Sequence, residues 1–422
     1  MLGLSSSLLF ALLAAAPAGD AALDDAVVHA RAQYEWFHAH PELSKQETKT
    51  AARLAAALRD LGLEVHEGIG GTGVVGVLEG AGPGPVVLYR ADMDGLPVTE
   101  ATGVPYASTN EGVMHACGHD VHMATALGAL EVLARSRDTW TGTVLFVGQP
   151  AEEVGAGARA MLADPKFRRL LETHGRPTVA VALHDAADLP AGTVSIIEGM
   201  HHANVDSVDI VVHGKGGHGA RPHETIDPIV IGAEIVMALQ TIVSRRLRPD
   251  EKAVVTVGKF DAGTKHNIIP PSATLLLTVR SYGPKTRAIL LREIERVARQ
   301  VAKAHRAPRA PEVKVGKGLP SCENDPAWTK RMRAAFVAEL GADAVTTHAP
   351  SLGGEDFGLF GTQLKIPAIM WKLGAVQPKA WAKAGGNGLP GLHSDQWAPD
   401  PDPTLRTGIR TAVAAIRVGL EG

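Results

Sequence analysis

Apolar residues recur along this chain with two different periods, and the alternation between them sketches an architecture. Residues 24–62 read as helices: in "AARLAAALRDLGLEV" the apolar positions fall at helical spacing, and the pattern stops at Gly62, a residue suited to a helix C-terminus. The runs "GVVGVLEG" and "PVVLYRADMDG" are short, apolar and bounded by Gly or Pro, which predicts strands. "MATALGALEVLARS" predicts a helix, "GTVLFVGQPAEE" a buried strand ending in two carboxylates, and "TVAVALHD" a strand ending in a histidine. Strands alternating with helices predict an α/β layer, a mostly parallel mixed sheet flanked by helices. Ligands of such sheets gather at the carboxyl ends of the strands. Asp92, Asp94, Glu152, Glu153 and His184 all fall at such ends.

The pattern changes between residues 200 and 314. "SVDIVVHGKG" alternates as a strand, and "DPIVIGAEIVMALQTIVSRR" is a long helix with Asp227 and Pro228 at its start. "AVVTVGKFDAG" and "ATLLLTVRSY" read as strands, "TRAILLREIERVARQVAKAH" as a second long helix, and "PEVKV" as a last strand. Strand, helix, two strands, helix, strand is the split βαβ order of a ferredoxin-like α+β unit. It predicts a small inserted domain, 200–314, inside a larger one formed by 23–199 and 315–422. After the insert the α/β pattern resumes with a helix from Ala327, the strand "PAIMWKLG" and a C-terminal helix from about Pro403. "WAKAGGNGLPGLHSD" reads as a Gly-rich loop holding His393.

Length and charge narrow the possibilities. A chain of 422 residues exceeds one ordinary core. A formal charge of −3 gives no field to attract nucleic acid or an anionic membrane. At the N-terminus an apolar run from Leu8 to Ala16, then small residues ahead of Asp24 and Asp25, resembles a secretory signal peptide over residues 1–22. That predicts an exported, periplasmic or secreted protein. Cys117 and Cys322 could pair after export, but Cys117 lies among histidines, where a thiolate is better explained as a ligand; Cys322 reads as a bystander.

Histidine is the compositional outlier, with 18 copies. Three of them, with an aspartate and Cys117, crowd into "MHACGHDVHM". A two-metal hydrolase needs several protein ligands, a carboxylate to take a proton from water, and an electrophile for the developing oxyanion. Cys117, His119, Glu153, His184 and His393 are the candidate ligands. Each sits at a strand end or in a Gly-rich loop, where a sheet would bring them together.

"RADMDGLP", "HACGHDVHM", "GQPAEEVGAGARAM", "GKGGHGARPH", "HNIIP" with "TVRSY", "GGEDF" and "GLHSD" occur in that order. The series resembles the indole-acetyl-amino-acid amidohydrolase and hippurate hydrolase branch of the aminoacylase–carboxypeptidase family of dinuclear metallopeptidases, over nearly the whole chain after the leader. The resemblance implies a catalytic α/β domain with an inserted ferredoxin-like lid or dimerisation domain. It implies two divalent metal ions per subunit on Cys117, His119, Glu153, His184 and His393, with Glu152 as general base. A thiolate ligand favours Zn2+, with Mn2+ the alternative. By the same resemblance His218 is delivered to the oxyanion by the partner subunit's lid, and Asn267 and Arg280 bind a substrate carboxylate, a task suited to a guanidinium fork. Asp94 is expected to orient a metal ligand. The implied reaction is amide hydrolysis of N-acyl or N-aminoacyl amino acids. The alternatives are a dipeptidase or carboxypeptidase of the same mechanism, or a solute- or metal-binding protein on the scaffold. Two stretches depart from the branch: "DAADLP" after His184, and "GMHHANVD", which adds His201 and His202. The latter pair reads as a solvated linker, with substrate contact the alternative.

Overall fold

The computed structural model describes residues 20–422, so residues 1–19 of the predicted leader lie outside the described residues and its last three begin the first helix. Its centre is an eight-stranded sheet. In spatial order the strands are Glu64–Ile69, Gly73–Glu79, Thr143–Gln149, Val86–Asp92, Val179–Pro190, Ala368–Val376, Val194–Ser195 and Val345–Thr346. The middle four run parallel, and the flanking pairings are largely antiparallel. Parallel strands covered on both faces should be apolar throughout, and Val86–Asp92 is buried at every position.

One face carries the helices Asp20–Ala39, Thr48–Asp60, His119–Arg135 and Pro401–Leu420. His119–Arg135 is buried from His119 to Leu133, as expected of a helix apolar all round. It crosses the C-terminal helix at Gly128, where a Cβ would lie 2.4 Å from Ile409 Cδ1. Trp371, Phe146 and Phe336 are fully buried in this layer, each burial worth about 1.5–3 kcal/mol by transfer scales. A smaller cluster, with Phe167, Phe357 and Phe360, covers the other face.

A second sheet lies between Asn204 and Val315, with its own core. Its four antiparallel strands run in the order Ala253–Ala262, Ser272–Ser281, Asn204–His213, Glu312–Val315. With the helices Pro228–Arg246 and Gly283–Ala304 packed on it, this is the ferredoxin-like arrangement. Asp227 caps the first helix by accepting from the Ile229 N–H at 2.8 Å. That helix is long and apolar enough to cross a membrane by length and composition alone. Here it buries Ile231, Ile235, Leu239 and Ile242 against the sheet and leaves Ile229, Val230 and Met237 exposed.

Four local expectations change. The histidine-rich helix begins at His119, not near Met123, because Gly118 takes φ +75 and turns the chain there. The strand through His184 continues to Pro190, so "DAADLP" is strand. The first four residues of the predicted Gly-rich loop, from Trp381, belong to the helix Pro378–Ala384, with Pro at its first turn. Glu152 and Glu153 sit in a turn beyond the strand end at Gln149, not on the strand itself.

The first helix is tied to the start of the His119 helix by a buried ion network. His38 Nδ1 lies 2.6 Å from Asp120 Oδ2, and its Nε2 lies 3.1 Å from Glu100 Oε1. Burial alone would lower the His38 pKa, but the hydrogen bonds and charges of Asp120 and Glu100 outweigh it and raise it from 6.5 to about 9. A raised folded-state pKa stabilises fully below the unfolded value of 6.5 and loses that contribution as pH rises through 9. Thermal unfolding of His38→Leu should show a loss of about 3–5 kcal/mol at neutral pH. The gap from wild type should narrow as pH is raised past 9.

Candidate metal centre and active-site cleft

The ends of two strands, the middle of a third, the start of a helix and one loop converge on one spot. Asp92 closes Val86–Asp92, and Asp94 follows two residues on. Cys117 and His119 straddle Gly118, whose left-handed turn also makes room for a neighbour: a Cβ there would strike the Asp185 carboxylate at 2.2 Å. His393 adopts φ +66, uncommon for a residue with a side chain, and its N–H donates to the Ala116 carbonyl at 2.7 Å. That backbone bond brings the C-terminal loop to the cysteine. Cys117, His119 and His184 form one group of donor atoms within 4.8 Å of one another; Cys117, Glu153 and His393 form a second, and His119, Glu152 and Glu153 a third. The five expected ligands therefore meet, although 276 positions of sequence separate Cys117 from His393.

The hydrogen bonds fix which nitrogens are free. His119 Nδ1 donates to the Asp94 carbonyl at 2.8 Å, and His184 Nδ1 to the Asp185 carbonyl at 2.8 Å. Both Nε2 lone pairs are thus turned inward. His119 Nε2 lies 3.8 Å from Glu153 Oε1, and His184 Nε2 lies 3.7 Å from the Cys117 sulfur. His393 Nε2 lies 3.6 Å from Glu153 Oε1. His119 Nε2 and Glu153 Oε1 are both buried with no hydrogen-bond partner. Stranded buried acceptors cost free energy, and imidazoles held by a backbone carbonyl on their far nitrogen are the usual metal-binding arrangement. Burial pushes the Cys117 thiol well above its ordinary range, so a thiolate there requires a cation beside it. Sulfur, three imidazoles and a carboxylate suit a zinc-like ion.

The two glutamates are held by their backbone. Asp94 accepts from the Glu152 N–H through Oδ1 at 3.0 Å and from the Glu153 N–H through Oδ2 at 3.1 Å, and Ser44 Oγ donates to Oδ2 at 2.6 Å. Buried Glu47 accepts from the Ala151 N–H at 2.8 Å, steadying a residue at φ +51. Asp94 thus touches the turn that carries both carboxylates and, through its carbonyl, the His119 ring. Burial, then the neighbouring Glu355 and Asp356, push the Glu152 carboxyl well above its ordinary range. That is the direction required of a group that must hold a proton between two transfers.

Around this lies a network the sequence reading did not single out. Arg90, fully buried, donates to Asp92 at 2.6 Å, Glu355 at 2.8 Å and Gln149 at 2.9 Å. His122 accepts the Asp185 N–H on Nε2 at 2.9 Å, so its proton sits on Nδ1, 2.5 Å from Asp92 Oδ1. The signal was an arginine inside the otherwise apolar "VVLYRAD".

A cleft of about 1260 Å³ opens from the ligand cluster toward the second sheet. Its walls include Glu152, Arg280, His202 and Lys372. Arg280 is half-buried, bonds Thr278 Oγ1 at 3.1 Å, and has no acidic partner among the described residues. His218 and Asn267 are elsewhere, together at a small exposed antiparallel pairing of Gly217–His218 with Ile268–Ile269, where the Gly219 N–H donates to the Asn267 carbonyl at 2.9 Å. The Ala220 N–H donates to His218 Nδ1 at 3.0 Å, which leaves the ring's other nitrogen facing outward. His201 and His202 are no solvated linker: His201 is wholly buried and His202 borders the cleft, because Gly199–His202 pairs with Cys322–Asn324. Neither cysteine is paired.

A two-domain α/β scaffold with clustered thiol, imidazole and carboxylate donors beside a buried glutamate defines a metallohydrolase. The profile of peptidase family M20/M25/M40 matches residues 88–384. The chain is 38% identical over 347 residues to an N-acetylcysteine deacetylase of Bacillus subtilis, covering 82% of this chain and 88% of that protein. It is 34% identical over 390 residues to thermostable carboxypeptidase 1 of Saccharolobus solfataricus, covering 90% and 93%. A Bacillus subtilis structure described as a dinuclear metal-binding peptidase of the M20 family superposes with a TM-score of 0.78 at 32% identity, covering 94% of this chain and 99% of that one. The chain belongs to peptidase family M20/M25/M40 and is a metal-dependent hydrolase of the amidohydrolase and peptidase type. The alternative of a non-enzymatic binding protein falls away.

Asp94→Asn replaces one backbone-accepting oxygen with a donor. It is expected to weaken metal affinity about 10–100-fold, the usual scale for a group that orients ligands. Competition with a chromophoric chelator reads this directly.

Proposed function

We propose that this hydrolase cleaves the amide bond of N-acyl amino acids, as in the indole-acetyl-amino-acid and hippurate hydrolase branch its motifs resemble. In this reading Cys117, His119, Glu153, His184 and His393 hold two divalent ions, zinc by the softness of the thiolate, with manganese the alternative. Such a pair supplies Lewis acidity to the amide carbonyl and acidity to a water. Glu152 takes the proton from the attacking water and returns it to the departing amine. Arg280 receives the free carboxylate through its planar fork of donors.

The observation that carries this reading is the pair of inward Nε2 lone pairs on His119 and His184, facing Glu153 and Cys117 with Glu152 beside them. His218 and Asn267 fit the same scheme if the lid of a second copy brings them over the cleft. The exposed Ile229, Val230 and Met237 and the open edge strand Ala253–Ala262 support pairing through that lid. Export through the leader of residues 1–22 belongs to the same proposal. A carboxypeptidase reading is favoured by one feature, the unpartnered Arg280, which suits a peptide C-terminus equally well.

Glu152→Gln is expected to retain its metal by elemental analysis and to lose about 100-fold or more in kcat against an N-acetyl amino acid. Retained turnover would remove Glu152 from the mechanism. Arg280→Met should raise KM about 10-fold or more for substrates with a free carboxylate, the scale of one charge-assisted hydrogen bond. Steady-state rates on the acid and its methyl ester check this, because the ester should show no such penalty. Faster turnover of unblocked dipeptides than of acylated amino acids would favour the carboxypeptidase reading.

A further inference from the structure

His202 is held from two sides, by a strand pairing with Cys322 and a bridge to Ser351. Its Nδ1 lies 2.8 Å from Nδ1 of His201, a distance at which the two rings share one proton. Buried His201 has its Nε2 without a partner. A neutral imidazole has one N–H, and a stranded buried N–H is rarer than a stranded lone pair. His201 therefore carries its proton on Nδ1 and donates it to His202. That bond forces the His202 proton onto Nε2. This nitrogen has no partner among the described residues and is not sealed from solvent, and the residue borders the cleft. Burial, then the nearby His184 and Lys372, lower the His202 pKa to about 3, so the ring stays neutral and keeps its single outward donor.

The position of this donor within the cleft gives it a task. His202 and Lys372 line the same cleft as His184 and Arg280. Arg280 belongs to the second sheet, and Lys372 to the catalytic sheet beside His184, its strand partner. Lys372 is 19% exposed and its ammonium is 2.9 Å from the carboxylate of Asp188, which is 63% exposed. The cleft, at about 1260 Å³, has room for both halves of an acylated amino acid. With the amino-acid carboxylate on Arg280 and the scissile bond over the ligand cluster, His202 and Lys372 are polar groups of the same cleft wall that an acyl group can reach.

Resting on the amidohydrolase reading above, we infer that His202 and Lys372 form an acyl-side subsite that selects acyl groups carrying their own oxygen acceptor. An alkyl or aryl acyl group would leave the His202 Nε2–H without a partner and offer no acceptor to the Lys372 ammonium beside its exposed Asp188 contact, a cost that discriminates between substrates.

N-glutaryl-alanine and N-pentanoyl-alanine offer acyl chains of equal length with and without a terminal acceptor. The wild-type ratio of kcat/KM, glutaryl over pentanoyl, is expected to be about 10 or more, the scale of one hydrogen bond to a charged group. His202→Leu should bring that ratio to near one, His202→Gln should restore part of it through its amide N–H, and Lys372→Met should lower it in the same direction. Thermal unfolding verifies that each variant is folded; a purely structural role for His202 would lower both rates together and leave the ratio alone. A wild-type ratio at or below one, or a ratio unmoved by His202→Leu, overturns the inference while leaving amide hydrolysis intact. Failure to hydrolyse any N-acyl amino acid would instead strike the amidohydrolase reading, and this inference with it.

Discussion

Buried negative charge at the carboxyl edge of the central sheet is the constraint around which this protein is built. Asp92, Asp94, Asp185, Glu355 and Asp356 are almost wholly buried, with Glu152, Glu153 and the Cys117 sulfur beside them. Arg90 answers part of that charge by bridging Asp92, Glu355 and Asp356. Burial and Glu355 nevertheless push Asp356 up to about 7, against the pull of Arg90, so the network is short of positive charge. An uncompensated buried carboxylate is costly. Divalent cations on the inward donors relieve that excess, and folding and metal affinity are then linked.

The same constraint explains the backbone around the site. Ala151 and His393 accept left-handed φ values, and Gly118 admits the Asp185 carboxylate, where an ordinary chain would relax. Asp94 repays that strain by binding two successive backbone N–H groups and positioning the His119 ring through its carbonyl. Rigidity is therefore concentrated where the reactive carboxylates must be aimed, and the wider walls of the cleft remain free to differ in what they accept.

The sequence was most legible where periodicity and turn chemistry act locally. The split βαβ order of residues 204–315 could be read because alternating strands and amphipathic helices have distinct periods. The ligands were legible as a set because Cys117 and His119 are close in sequence and the others lie at predictable strand ends or in a Gly-rich loop. What escaped depends on long-range packing. Arg90 reads as a stray charge until Glu355 and Asp356 arrive from 265 and 266 residues away. Glu47 reads as a surface residue until it caps the Ala151 turn. His201 and His202 looked solvated because a histidine pair is polar, and only the pairing with Cys322–Asn324 puts them into the wall of the cleft. His218 and Asn267 meet at a small two-stranded pairing but do not line this chain's own cleft, and no local pattern could have said so.

Titration of the metal-free protein with cobalt(II), followed in the near-ultraviolet, reports on the metal–cysteine bond itself, because a thiolate bound to cobalt gives a charge-transfer band. Saturation is expected at two equivalents, with the band present in the wild type and absent in Cys117→Ser. A protein that takes up no cobalt stoichiometrically, or a band indifferent to Cys117→Ser, would contradict a dinuclear site bound through Cys117.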